Sequence, residues 1–304
     1  MGDPRSQTVV LDRPVDLALT LGPLRRGAGD PSMRTGPGGV WRATRTPEGP
    51  ATLHLTTAGS TVTGRAWGPG AGWALAGLAD LVGAADHLEG FSPAHPVVAE
   101  LHRRLPGLRI PRSRAVVEAL VPSILEQKVV GREARRSYAA LVRALGEPAP
   151  GPAGAAGLRV PPAPDVLART PAWAFHRAGV ERRRADTIRV ACSYAARVEE
   201  AVALAPEAAR RRLAALPGVG AWTAAEVAVV ALGDADAVSV GDYHLPDQVA
   251  WALAGEPRAD DARMLDLLEP YRGHRARVLR LIVAGHPGPP RVGPRLALRS
   301  IASI

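Results

Sequence analysis

Two glycines one residue apart, Gly218 and Gly220, join a helical segment ending near Ala215 to the apolar run AAEVAVVAL, Ala224 to Leu232. The connection, Leu216-Pro217-Gly218-Val219-Gly220-Ala221-Trp222-Thr223, has the form of a tight turn between two helices. Glycine permits such a turn and lets a partner approach the backbone closely. Just before a helix N-terminus, the free N–H groups of the turn point at an anion, and the helix dipole adds to the attraction. A helix-hairpin-helix of this kind grips a nucleic-acid phosphate without reading base sequence. The competing reading is a glycine connection that two packed helices need for their own sake.

Charge bears on that choice. The chain has 304 residues and a formal net charge of +9, with pI about 10.9. Residues 1–89 hold 8 basic and 8 acidic residues, whereas residues 90–304 hold 30 basic and 21 acidic, so the whole excess lies in the C-terminal two-thirds. That segment suits a polyanionic partner through phosphate neutralisation and counterion release; a solvated basic surface is the alternative. Of the 38 basic residues 37 are Arg, and Lys128 is the single lysine. An apolar fraction of 46% supports a sizeable core and the length suits about two domains. No run reaches the ~18 apolar residues of a membrane helix, and the N-terminus lacks a signal-peptide pattern. One cysteine, Cys192, excludes an intrachain disulfide framework and cysteine-ligated zinc or iron–sulfur sites. The eight histidines show no metal-ligand spacing. A soluble intracellular protein is the expectation.

The first ~85 residues read as β-rich. DLALTL, GGVWRATRT, ATLHLTTAG and STVTGRAWG alternate or are rich in Thr, Val and Trp, with Gly/Pro punctuation at 36–39, 47–50 and 68–72. Helical spacing begins near Leu75. Ser113 is the expected N-cap of a helix through AVVEALVPSILEQKVV, bent or interrupted at Pro122, and REARRSYAALVRALG should end at Gly146. Residues 147–164, rich in Pro, Gly and Ala, read as a loop. Helices are expected at Asp165–Arg169, Pro171–Ala178, Glu181–Leu204 and Pro206–Leu216, and the tail from His286 is again Pro/Gly-rich.

Downstream of the hairpin stands Val240-Gly241-Asp242-Tyr243, just before a helical segment from Leu245 to Ala254. LPGVGAWTA followed by VGDYHLPDQVAWAL resembles the helix-hairpin-helix superfamily of DNA glycosylases, and within it the 3-methyladenine DNA glycosylase II type. The resemblance extends to LVPSILEQKVVGREARRSYAALVRALG, similar to the family's duplex-probing helix, and to AGVERRRADTIRVACSYA; it runs from about residue 95 to 285. It implies an α+β fold: a small antiparallel β-rich N-terminal domain (1–88), then two all-α subdomains with a cleft between them. One subdomain is 113–235, with the hairpin; the other is 89–112 together with 236–304.

The resemblance implies that Asp242 is the catalytic carboxylate. Cleaving the bond between base and sugar leaves an oxocarbenium-like deoxyribose, which a carboxylate stabilises or to which it directs a water. The competing reading of Asp242 is a helix N-cap. Relatives that also nick the strand place a lysine two residues after the second hairpin glycine. Here Trp222 stands there, so the hairpin offers no amine, and a monofunctional glycosylase without lyase activity is implied. Trp222 would line the pocket for a flipped base, or else pack between helices. The family's aromatic one turn further on is Glu226, and a later pocket aromatic falls near Arg280. Glu226 would favour a cationic base, accept a hydrogen bond from an exocyclic amine, or pair with an Arg. Tyr243 completes the expected base pocket.

Gln127 matches the family's probing glutamine, while Lys128 replaces its apolar wedge; the lysine stem would fill the gap left by the extruded nucleotide, or the side chain is a simple exposed lysine. DNA contacts are expected from Gln127, Lys128, Gly218, Val219, Gly220, Thr223, Arg182 and Arg184, with Arg183, Arg135 and Arg136 as further phosphate contacts or solvated charges. Monovalent-cation binding by the hairpin carbonyls, seen in the superfamily, would be structural. The expected substrate is double-stranded DNA with damaged bases, alkylated purines above all, handled by a monomer with no cofactor, no metal and no membrane, in the cytoplasm at the nucleoid. A glycosylase for a deaminated or bulky purine, and a non-catalytic DNA-binding protein on the same scaffold, are the alternatives.

Overall fold

The computed structural model describes residues 3–290. The part of the tail beyond 290, and with it the end of the 236–304 segment, lies outside the described residues.

Strands β1 (Arg5–Val10), β2 (Met33–Gly36), β3 (Gly39–Thr46), β4 (Gly49–Ala58) and β5 (Thr61–Trp67) form one antiparallel sheet in the order β1-β5-β4-β3-β2. Leu53 lies opposite Ala66 and Leu55 opposite Gly64, so alternate residues of β4 (Ala51, Leu53, Leu55) share the buried face. Helices α1 (Leu17–Leu21), α2 (Ala71–Ala76) and α3 (Leu78–Leu81) close that face with Leu17, Leu21, Leu75 and Leu78.

The segment DLALTL is therefore helix, not strand. Asp16 accepts a hydrogen bond from the Leu19 N–H at 2.9 Å, an N-cap that decides between two patterns too short for periodicity to separate. Leu17 and Leu21, four apart, then face the sheet.

Helices α4 (Pro96–Arg104), α5 (Val116–Leu125) and α6 (Gly131–Leu145) follow, α6 stopping at Gly146. Pro122 lies inside α5, which continues to Leu125. The cap of α5 is not Ser113: both oxygens of Glu199 accept from its first N–H groups, Val116 and Val117, at 2.9 Å each. The 147–164 segment is no plain loop either. It holds β6 (Glu147–Pro148), α7 (Pro152–Ala155) and β7 (Arg159–Val160), and buries Ala149, Ala153, Leu158 and Val160 against Ala43 of the sheet. Small side chains permit this close packing; a Cβ on Gly151, at φ +72°, would stand 2.4 Å from the Trp67 ring.

Helices α8 (Pro164–Arg169), α9 (Ala172–Arg177), α10 (Arg182–Ser193), α11 (Ala195–Glu199) and α12 (Pro206–Ala214) come next, the expected Glu181–Leu204 helix being broken at Tyr194. Helix α13 (Ala221–Val227) runs on through a π turn, Ala228–Leu232. Helices α14 (Leu245–Ala254), α15 (Asp261–Leu268) and α16 (Arg275–Gly285) are the last among the described residues. Leu120, Ile124, Val142, Phe175, Ile188, Leu213 and Val227 centre one helical core; Val98, Leu101, Val249, Met264, Leu268, Val278 and Ile282 centre another.

Candidate active site

The hairpin between α12 and α13 uses its two glycines differently. Gly218 has φ +81°, and a Cβ there would lie 2.4 Å from Thr187 Oγ1 of α10. Gly220 is exposed and a Cβ on it would meet nothing within 4 Å. Val219 between them is buried. The turn is pinned from the α5–α6 connection: Gln127 Nε2 donates to the Gly218 carbonyl at 3.0 Å and to Thr223 Oγ1 at 2.9 Å. Thr223 itself is buried. Gln127 thus ties two expected DNA-facing segments together, and Lys128 is the next residue. Lys128 is exposed with φ +55°, a conformation non-glycine residues rarely hold without a local reason.

Of the arginines, Arg182 is exposed and pairs with Asp186 at 3.0 Å. Arg183, Arg135 and Arg136 are exposed as well. Arg184 is buried: its guanidinium donates to the Leu125 carbonyl at 2.7 Å and so closes the C-terminus of α5.

Asp242 ends a turn that leads into α14. Its Oδ1 accepts from the backbone N–H groups of His244 (2.8 Å) and Leu245 (2.9 Å), and its Oδ2 accepts from Trp222 Nε1 at 2.9 Å. The N-cap position of α14 is His244; Asp242, two residues before it, accepts the Leu245 N–H that opens the helix, and these bonds fix a half-buried carboxylate against the hairpin helix. Asp261 supports the turn by accepting from the Gly241 N–H at 2.9 Å. Tyr243 stands 78% exposed at the lip, edge-on to His244.

One turn along α13 from Trp222, Glu226 accepts a hydrogen bond from Ser239 Oγ at 2.5 Å. Burial raises the Glu226 carboxyl above its ordinary range, and the negative charges of Glu126 and Asp242 push the same way. No basic side chain among the described residues makes an ion pair with it. Arg280 of α16 lies near enough to feel the Glu226 charge, but burial lowers its guanidinium to about 10. Arg280 Nη2 donates to the Leu19 carbonyl at 2.6 Å, while Nη1 is buried without a hydrogen-bond partner among the described residues. Arg26, paired with Glu126 at 3.6 Å, brings the N-terminal domain to the same cleft. Ser239, Asp261, Arg26 and Glu126 escaped the sequence reading; no local motif marks them.

The place the resemblance marks as the cleft thus gathers Asp242, Trp222, Glu226, Arg280 and the hairpin, and a carboxylate there can stabilise positive charge developing beside it. Cys192 offers no competing nucleophile, since burial pushes its thiol up to about 12. Among the described residues no group of three or more His, Cys, Asp or Glu is placed to hold a metal ion, and no helix is long and apolar enough to cross a membrane.

No family model matches the chain. A protein of Mycobacterium tuberculosis described as a probable bifunctional transcriptional activator/DNA repair enzyme AlkA is 33% identical over 156 residues, which is 50% of this chain and only 30% of that protein. A 3-methyladenine DNA-glycosylase from Archaeoglobus fulgidus superposes with a TM-score of 0.75 at 18% identity, covering 91% of this chain and 97% of its own. The Clostridium acetobutylicum 8-oxoguanine glycosylase/lyase in complex with DNA superposes with a TM-score of 0.68 at 12% identity, covering 93% of this chain and 97% of its own. The chain has the fold of the helix-hairpin-helix DNA glycosylases, and its sequence resembles their 3-methyladenine DNA glycosylase II type.

Proposed function

We propose that this chain is a monofunctional DNA glycosylase of base excision repair, acting on alkylated purines in double-stranded DNA as a monomer. The observation that carries the reading is Asp242, held by the Trp222 indole and by two N–H groups at the start of α14, beside the hairpin. A helix cap needs only the latter bonds; the third points the carboxylate across the cleft.

In this reading the exposed hairpin backbone at Gly220 takes a phosphate. Lys128 enters the stack and the damaged nucleotide turns out into the cleft against Trp222 and Tyr243. As the bond from C1′ to the base nitrogen breaks, Asp242 faces the oxocarbenium-like sugar and directs a water to C1′, leaving an abasic site. Trp222 occupies the position from which a lysine would form a Schiff base, which supports hydrolysis without strand cleavage. Of the arginines the resemblance points to, Arg183, Arg135 and Arg136 are exposed to meet phosphates, Arg182 would first leave its pair with Asp186, and Arg184 is buried. The three apolar cores support a division into 1–88, 113–235, and 89–112 with 236–304.

The test is a panel of duplexes, each with one lesion, scored for alkali-labile abasic sites. Asp242→Asn should lower release by roughly 10²–10³-fold while binding to an abasic-site duplex persists. No release of any lesion by the wild-type chain overturns the proposal.

A further inference from the structure

Two side-chain bonds join α13 to the turn at 239–242. Trp222 donates to Asp242, and Ser239 donates to Glu226. Trp222 and Glu226 are four residues apart, about 6 Å along the helix, so the two carboxyls bonded across to the turn stand at neighbouring levels of α13, near enough for the Asp242 charge to act on Glu226. Their settings differ. Asp242 accepts three N–H hydrogen bonds. Glu226 accepts one hydroxyl and has no ion-pair partner among the described residues. Two carboxyls so differently hydrogen-bonded suit a division of acid and base roles between them.

We infer that Glu226 is the general acid that protonates the departing base when that base is neutral, as hypoxanthine is. The inference rests on the glycosylase reading above. A base already cationic through alkylation leaves as a neutral molecule and needs no proton. A neutral purine leaves with the electron pair of its bond to C1′ and is a poor leaving group unless a ring nitrogen gains a proton in the same step. The Glu226 carboxyl O–H supplies that proton and becomes a carboxylate. Asp242 faces the sugar cation, water adds at C1′ and gives up a proton to solvent through Asp242, and Glu226 is reprotonated from solvent.

The groups facing Glu226 decide when it holds its proton. Asp242 from the turn and Glu126 from the end of α5 favour the neutral acid, as does burial; Arg26 from the N-terminal domain, Arg280 from α16 and the Ser239 hydroxyl oppose it. The outcome is a carboxyl raised above its usual range. Release of a neutral base should therefore be present at low pH and fall as the pH rises through that raised value.

The experiment compares single-turnover release from duplexes carrying either 7-methylguanine or hypoxanthine, across pH. Glu226→Gln should lower hypoxanthine release by roughly 100-fold or more and remove its alkaline limb, while 7-methylguanine release falls by a clearly smaller factor. Equal losses on both substrates, or none on either, overturn the inference, as does wild-type release of 7-methylguanine without hypoxanthine. Wild-type release of neither, nor of any other lesion, overturns the glycosylase reading instead. Should Glu226→Gln fail to fold, Ser239→Ala tests the same group: loss of the hydroxyl donor should move the hypoxanthine limb to higher pH, and an unmoved limb counts against Glu226.

Discussion

Glu118 and Glu199, at the seam between the sheet and the helices, are carboxylates withdrawn from water much as Asp242 and Glu226 are in the cleft. The seam even encloses a cavity of about 370 Å³, lined by Arg45, Trp73, Arg114, Glu118, Tyr138 and Glu199. Yet its acids are engaged in holding elements together. Glu118 accepts from Arg42 (2.6 Å), the Thr44 hydroxyl (2.7 Å) and the Arg45 N–H (3.1 Å), joining β3 to α5. Glu199 closes the start of α5 with both oxygens, although burial raises its carboxyl just as it raises Glu226. A raised carboxyl in a concave place is thus not enough to mark chemistry. What sets the cleft apart is Glu226, held by a single hydroxyl with acceptor capacity left over, next to Asp242 and an exposed backbone turn.

Substitution should separate the two regions cleanly. Glu118→Gln leaves the nearly buried Arg42 without its counter-charge, and such a loss costs about 3 kcal/mol, read as a drop in the denaturation midpoint. Turnover of the surviving folded protein should be that of the wild type. Trp222→Phe should do the reverse. It removes one hydrogen bond to a charged acceptor, worth about 2 kcal/mol, so kcat should fall about 10- to 30-fold with the midpoint little moved. A lower midpoint from Trp222→Phe with kcat intact would make Asp242 a cap and nothing more.

The cleft was more legible in the sequence than the seam, for a physical reason. The hairpin, Trp222, Glu226 and Asp242 belong to two short segments whose order and spacing are themselves the motif. The seam is built from pairs far apart in the chain: Glu199 caps a helix 83 residues upstream of it, and Glu118 reaches residues more than 70 away. No window of sequence contains both partners. Arg184 misled for the same cause, since an arginine run on a helix start gives no sign that its third member turns inward to Leu125. DLALTL and the 147–164 segment were obscured differently. In the first, one side-chain cap overrode a strand-like alternation; in the second, small residues that look like a linker are what allow close packing on Ala43 and Trp67.

Lys128 sharpens the contrast at the level of the backbone. Its left-handed conformation costs about 1 kcal/mol that glycine would not incur. Lys128→Gly should therefore raise stability by about that amount in a denaturant titration, while weakening binding to an abasic-site duplex. If binding is kept as stability rises, the strained lysine has no part in holding DNA.

The smallest expected effect is the most discriminating, because it compares two glycines of one turn. Gly218 is required by the fold: its φ of +81° and the Thr187 side chain standing where a Cβ would go mean that Gly218→Ala must displace α10 or the hairpin. Gly220 has an ordinary φ of −98° and open space where its Cβ would go. Nothing inside the protein asks for glycine there, so Gly220→Ala should leave the denaturation midpoint within about 0.5 kcal/mol of wild type. A phosphate against the hairpin does ask for it, since an added methyl would occupy the path of approach. DNA affinity should then drop a few-fold at fixed salt, equally for damaged and undamaged duplexes, because a backbone contact carries no base information. An alanine that leaves affinity untouched would move the phosphate away from Gly220, and with it the orientation of the duplex relative to Asp242.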